Sequence, residues 1–124
     1  MNLQDIRDYC LKKSGKITED FPFDEEVLVF RVFGKIFLLT NINQHPLRLN
    51  LKSDPEQAIE WRELYEVVQP GYHMNKKHWN TITLDGSIPR RVILQMIDHS
   101  FEQVVQGLKR SDRLKIQRSL RTIR

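Results

Sequence analysis

The chain has 124 residues, of which 40% are hydrophobic, 9% aromatic and 29% charged, with a formal net charge of +4. That length and composition suit one domain with a filled core and exclude global disorder. One cysteine, Cys10, excludes an intrachain disulfide and favours a reducing, cytoplasmic setting, while apolar runs of only four residues fall far short of the roughly 20 that span a bilayer. Met1–Asp5 has no basic segment leading into an apolar one, so no signal peptide is expected.

In chain order, the first element is a helix. Asn2 can cap it and Asp5 suits its first turn, while Leu3, Ile6 and Cys10 make one apolar stripe. Lys12 and Lys13 fit the last turn, and Gly15 a left-handed cap. An imperfect alternation (Ile17, Glu19, Phe21, Phe23) then reads as a strand, and Asp24-Glu25-Glu26 as a turn. Val27–Phe33 and Ile36–Ile42 read as two strands, joined by Gly34-Lys35 in a type II′ hairpin. Leu47, Leu49 and Leu51 alternate with Arg48, Asn50 and Lys52, the pattern of a half-exposed strand.

Ser53 with Glu56 reads as a capping box opening a second helix, with Pro55 in its first turn. Ala58, Trp61, Arg62 and Tyr65 fall near one face of it. Pro70-Gly71 forces a reversal, and Trp79–Leu84 reads as another strand closed by Asp85-Gly86. A third helix follows Ser87 on the stripe Ile93, Ile97, Phe101, Val104 and Leu108, with Gly107 marking its end. The order implies an α+β two-layer sandwich, an antiparallel sheet with its helices on one face.

Charge divides the chain in two. Residues 109–124 hold seven basic residues against Asp112 alone, a net of +6, while residues 1–108 hold 13 basic and 15 acidic residues, a net of −2. The reading is therefore one domain over 1–108 and a basic tail over 109–124, either frayed or a short helix on Ile116, Leu120 and Ile123.

Leu49-Asn50-Leu51-Lys52-Ser53-Asp54-Pro55-Glu56, the run Pro70-Gly71-Tyr72-His73-Met74-Asn75-Lys76-Lys77-His78-Trp79-Asn80-Thr81, and Ile97-Asp98-His99-Ser100-Phe101 resemble the MmcQ/YjbR proteins over about residues 1–108. The resemblance implies a small bacterial cytosolic α/β two-layer domain with hairpins in a double-wing arrangement, a type labelled DNA-binding by fold analogy. The basic tail lies outside the shared pattern.

The residues themselves carry little catalytic chemistry. His73 and His78, with His45 and His99 elsewhere, do not make a zinc ligand set. Cys10 lies on an apolar stripe, Ser87 and Ser100 lack a nucleophile-elbow context, and Asp98 and His99 are helix neighbours that point apart. No glycine-rich phosphate loop is present, so a non-catalytic protein without metal or cofactor is expected. For nucleic acid, Lys76, Lys77 and Asn75 in the central segment, Arg48 and Lys52 on one strand face, and Arg31 and Lys35 at the hairpin are the candidate contacts, with Tyr72 or Trp79 to stack. Trp79, entering a strand, reads more naturally as a core plug. A monomer is expected, with DNA as the leading partner. The alternative is an unidentified protein, for which Asp24-Glu25-Glu26 would suit a basic surface.

Overall fold

The computed structural model describes the backbone of residues 1–123 and the side chains of residues 1–117. Within them the elements are α1 (Leu3–Leu11), β1 (Ile17–Asp20), β2 (Val27–Val32), β3 (Lys35–Asn41), β4 (Arg48–Lys52), α2 (Pro55–Leu64), β5 (Val68–Pro70), β6 (Trp79–Thr83), α3 (Arg90–Gln106) and α4 (Arg110–Ile123). The strands form one antiparallel sheet in the order β1-β2-β3-β4-β6-β5, with the helices on one face. Among the described residues no helix is long and apolar enough to cross a membrane.

Strand parity sorts the side chains. Leu28, Phe30 and Val32 of β2, Leu49 and Leu51 of β4 and Ile82 of β6 face the helices, where they meet Ile6 and Cys10 of α1 and Ile93, Met96, Ile97 and Val104 of α3. The other parity turns outward. In that row Asp20, Val29, Leu39, Asn50, Thr81 and Gln69 lie side by side across the six strands.

Several local details differ from the sequence reading. Strand β1 stops at Asp20 rather than Phe23, leaving Phe21 and Phe23 exposed in the following loop. The β2–β3 turn is Phe33-Gly34, not Gly34-Lys35, because Val32 pairs with Lys35. Both turn residues have positive φ (46° and 80°), the type I′ signature rather than type II′. A left-handed phenylalanine is unfavourable. Its ring is held against Gly15 and carries the Lys115 ammonium 5.7 Å above it, contacts that offset the strain.

Asp54, not Ser53, caps α2: its carboxylate accepts from the backbone N–H groups of Glu56 and Gln57. Helix α1 does carry a capping box, between Asn2 and Asp5. Its last turn holds no basic residue, and Gly15 lies beyond its C-cap, Lys12. Gly15 is instead a packing point with φ 105°, where a Cβ would come within 3.0 Å of Ile116. Gly107 caps α3 as expected, in a right-handed conformation. The tail is helical from Arg110, and Ile116 belongs to the core; Leu120 and Ile123 lie outside the described side chains.

Candidate functional site

The sheet is irregular at one end, and that irregularity makes a cleft. Between Phe30 and Arg31 of β2 the register advances one residue, while β3 advances two, from Leu38 to Ile36. Phe37 is the extra residue of a β-bulge, a device that bends a strand and ends its pairing. The β3–β4 ladder stops at Leu38↔Leu51. Beyond it the Ser100 hydroxyl of α3 enters between the strands, donating to the Phe37 carbonyl (2.5 Å) and accepting from the Lys52 N–H (2.8 Å). The β2–β3 hairpin thus projects past the ends of β4 and β6.

The cleft between them is open, with a volume of about 550 Å³. Arg31, Lys35, Ile36, Lys52 and Trp79 line it, and Val104 of α3 shows that it reaches the helix layer. Lys52 and Trp79 are direct cross-strand partners. The Arg31 guanidinium is engaged, with Nε 3.1 Å from Asp20 Oδ1 and Nη1 donating to the Gly34 carbonyl. Among the described residues Lys35 and Lys52 have no carboxylate within 4.0 Å. The cleft therefore holds two uncompensated cations and one compensated one beside an indole.

The other sequence candidates lie apart from it. Arg48 is exposed at the opposite end of β4, four residues or roughly 13 Å from Lys52. Asn75 is structural: its carboxamide accepts from the Lys77 N–H and its carbonyl from the His78 and Trp79 N–H groups. Lys76 Nζ donates to the Gly71 carbonyl, and Arg62 donates to the Lys76 carbonyl and to Asn80 Oδ1. Lys77 is exposed on this loop. Tyr72 is 67% exposed, with the His73 ring 4.0 Å away and His73 itself at φ 58°. Only Arg31, Lys35 and Lys52 of the seven candidates share one site. Trp79 joins them and is no core plug: it is half-buried, on the outer parity of β6, outside the core cluster. Its position was readable from Ile82, three residues on and therefore on the other face.

A second cavity, about 720 Å³, lies between α1, α3 and α4. On its wall Lys13 Nζ is 2.5 Å from Asp98 Oδ1 and 4.9 Å from the ring centres of both Tyr9 and Phe101. Tyr9 donates to the same carboxylate at 2.6 Å. Burial, and then that hydrogen bond, pushes the Tyr9 phenol up to about 12. Burial likewise pushes the Cys10 thiol up to about 12, which leaves it a small hydrophobe rather than a nucleophile. His99 points away from Asp98: its Nε2 accepts from the Asp54 N–H and its ring stands edge-on to Trp61 at 5.2 Å. Burial lowers its pKa. Among the described residues no three His, Cys, Asp or Glu side chains gather as a metal site would require.

An open antiparallel sheet with helices on one face, parted at one end by a serine and a bulge, defines a small α+β domain with a cationic end cleft. The sequence model of the YjbR family matches residues 12–103, and the chain belongs to that family. It is 36% identical over 96 residues to the YbdF protein of Escherichia coli O157:H7, covering 77% of this chain and 79% of that one. It is 30% identical over 113 residues to the YjbR protein of Escherichia coli K12, covering 91% and 95%. Among solved structures, the Deinococcus radiodurans protein DR2400, a DUF419 domain, superposes with a TM-score of 0.86 at 39% identity, covering 94% of this chain and 88% of that one. A Pseudomonas syringae protein superposes with a TM-score of 0.71 at 31% identity, covering 83% and 98%.

Proposed function

We propose that this chain is a non-catalytic nucleic-acid-binding protein whose phosphate contacts centre on the end cleft. The observation that carries the reading is that Lys35 and Lys52, neither with a carboxylate within 4.0 Å among the described residues, line one concave site with Arg31. Uncompensated lysines held together by a sheet attract phosphates and release counterions when they bind them. Arg48, exposed on the same strand face as Lys52, extends the contact, and the basic segment after Leu108 adds affinity without sequence preference. Asn75 and Lys76 drop out of the contact set, since their polar atoms already serve their own loop. The buried Cys10 thiol and the divergence of His99 from Asp98 support a non-catalytic role.

The test is the salt dependence of binding to a 20-residue oligonucleotide, single-stranded and duplex. Wild-type affinity is expected to fall steeply with salt, and Lys35→Ala/Lys52→Ala to reduce the logarithmic slope by about 1–2 while changing stability by less than about 0.5 kcal/mol. Lys76→Ala/Lys77→Ala changes the slope less. Lys109→Gln/Arg110→Gln measures the share of the C-terminal segment. An unchanged slope in the Lys35/Lys52 variant overturns the proposal.

A second reading rests on Phe21 and Phe23, 44% and 67% exposed beside Asp24, Glu25 and Glu26. Apolar rings next to three carboxylates suit a basic, partly apolar protein partner. It predicts a partner retained after nuclease treatment and lost on Phe23→Ser.

A further inference from the structure

A phosphate-binding cleft can take nucleic acid as a duplex or as a single strand. Resting on the proposed function, we infer that the cleft holds one unstacked nucleotide against Trp79, so that the protein takes single strands in preference to duplex.

Three observations point there. First, Trp79 and Lys52 are direct cross-strand neighbours and both line the cleft, which puts an aromatic and a cationic side chain on one wall. An aromatic face next to a cation matches a nucleotide, whose base stacks while its phosphate pairs. Second, Trp79 lines an open cleft of about 550 Å³. That volume falls in the range of small-ligand sites, roughly 300–1,000 Å³. Duplex bases are stacked inside the helix, and stacking one on a protein ring requires flipping it out; a single strand presents bases already free. Third, the polar row Asn50, Thr81 and Gln69 continues across the outer face from the cleft. Within it Thr81 is buried, with its hydroxyl donating to Asn50 Oδ1 and accepting from the Tyr72 N–H, so the side chain this row presents to the rest of a strand is the exposed Gln69. Aromatics on an open antiparallel sheet are a general solution for single-strand recognition. Arg31 contributes as the anchored member: its bond to the Gly34 carbonyl holds the hairpin turn at the mouth, and Ile36 forms an apolar wall.

The experiment uses the full chain with fluorescein-labelled dT20, its duplex with dA20, and free thymidine monophosphate as competitor. Single-strand binding is expected to be at least about 10-fold tighter than duplex binding at equal salt. Trp79→Ala is expected to weaken single-strand binding roughly 5- to 100-fold while leaving the salt slope unchanged. Trp79→Phe retains most of the affinity, which separates stacking from a folding defect. Thymidine monophosphate, matched to dT20 in nucleotide concentration, displaces little of the labelled strand. Equal single-strand and duplex affinities overturn the inference. So does an unchanged affinity in Trp79→Ala, and if Lys35→Ala/Lys52→Ala still lowers the slope, the phosphate reading survives alone. Full displacement by the mononucleotide overturns the strand in favour of a free nucleotide.

Discussion

At the seam between α1 and α3, Lys13 lies between two aromatic rings with its ammonium on Asp98, and its side chain is only 14% exposed. At the end of the sheet, Lys35 and Lys52 share a cleft with a tryptophan, and among the described residues neither has a carboxylate within 4.0 Å. The same residue types serve opposite ends. In the seam each charge is answered from within, so the cluster ties two helices together and has little left to offer a ligand. In the cleft the positive charge is left over. Its supporting parts, Ser100 and the Phe37 bulge, are uncharged and buried. A basic residue therefore becomes informative about function only when its partner is known.

The largest expected effect tests whether the cleft depends on its uncharged support. Ser100→Ala leaves the buried Phe37 carbonyl and the Lys52 N–H without their shared partner, and should lower stability by about 2–3 kcal/mol in denaturant unfolding. A loss under about 0.5 kcal/mol would mean that the strands close the gap by themselves. Next comes the seam. Asp98→Ala removes the partner of a largely buried lysine and should cost about 1–2 kcal/mol, a figure kept low because the carboxylate is 42% exposed. Spectrophotometric titration should show the Tyr9 phenol ionising at lower pH than in wild type, since one of the groups raising its pKa is gone. No change in either measurement would make the seam as dispensable as a surface pair.

The smallest effect concerns His99, beside Asp98 in sequence but turned to α2. Its folded pKa is lowered, first by burial, and its Nε2 must stay unprotonated to accept from Asp54. The neighbouring carboxylates Asp54 and Glu102 act the other way and limit the shift. A depressed histidine pKa means that protonation favours the unfolded chain. The stability is complete above the unfolded value near 6.5, and declines as pH falls from there through the folded value. His99→Ala should flatten that part of the profile, whereas Asp98→Ala should not.

Much of this architecture is legible in the sequence, because it depends on short-range regularities. The alternation of Leu47, Leu49 and Leu51 with Arg48, Asn50 and Lys52 places the strand and its two faces, and the stripe from Ile93 to Leu108 places α3. The site is less legible because it depends on register. Nothing local sets Lys52 beside Trp79 or brings Ser100 to Phe37, 63 residues away in the chain. Parity within β6 does separate Trp79 from Ile82, but the usual burial of tryptophan outweighs that signal unless the strand phase is counted. Lys76 and Asn75 read two ways for a different reason. A dense polar segment resembles a binding site, yet a loop that reverses sharply needs those same atoms for its own backbone.

Gly15, Phe33 and Ile116 come together at one point, although they belong to the loop after α1, the hairpin turn and α4. The hairpin that carries Lys35 is therefore braced by the loop after α1 and by α4, like a cantilever guyed to two posts. Shortening the chain before Ile116 or adding bulk at Gly15 would slacken one guy and let the tip swing. Charge at the mouth of the cleft is in this way tuned by residues that carry none.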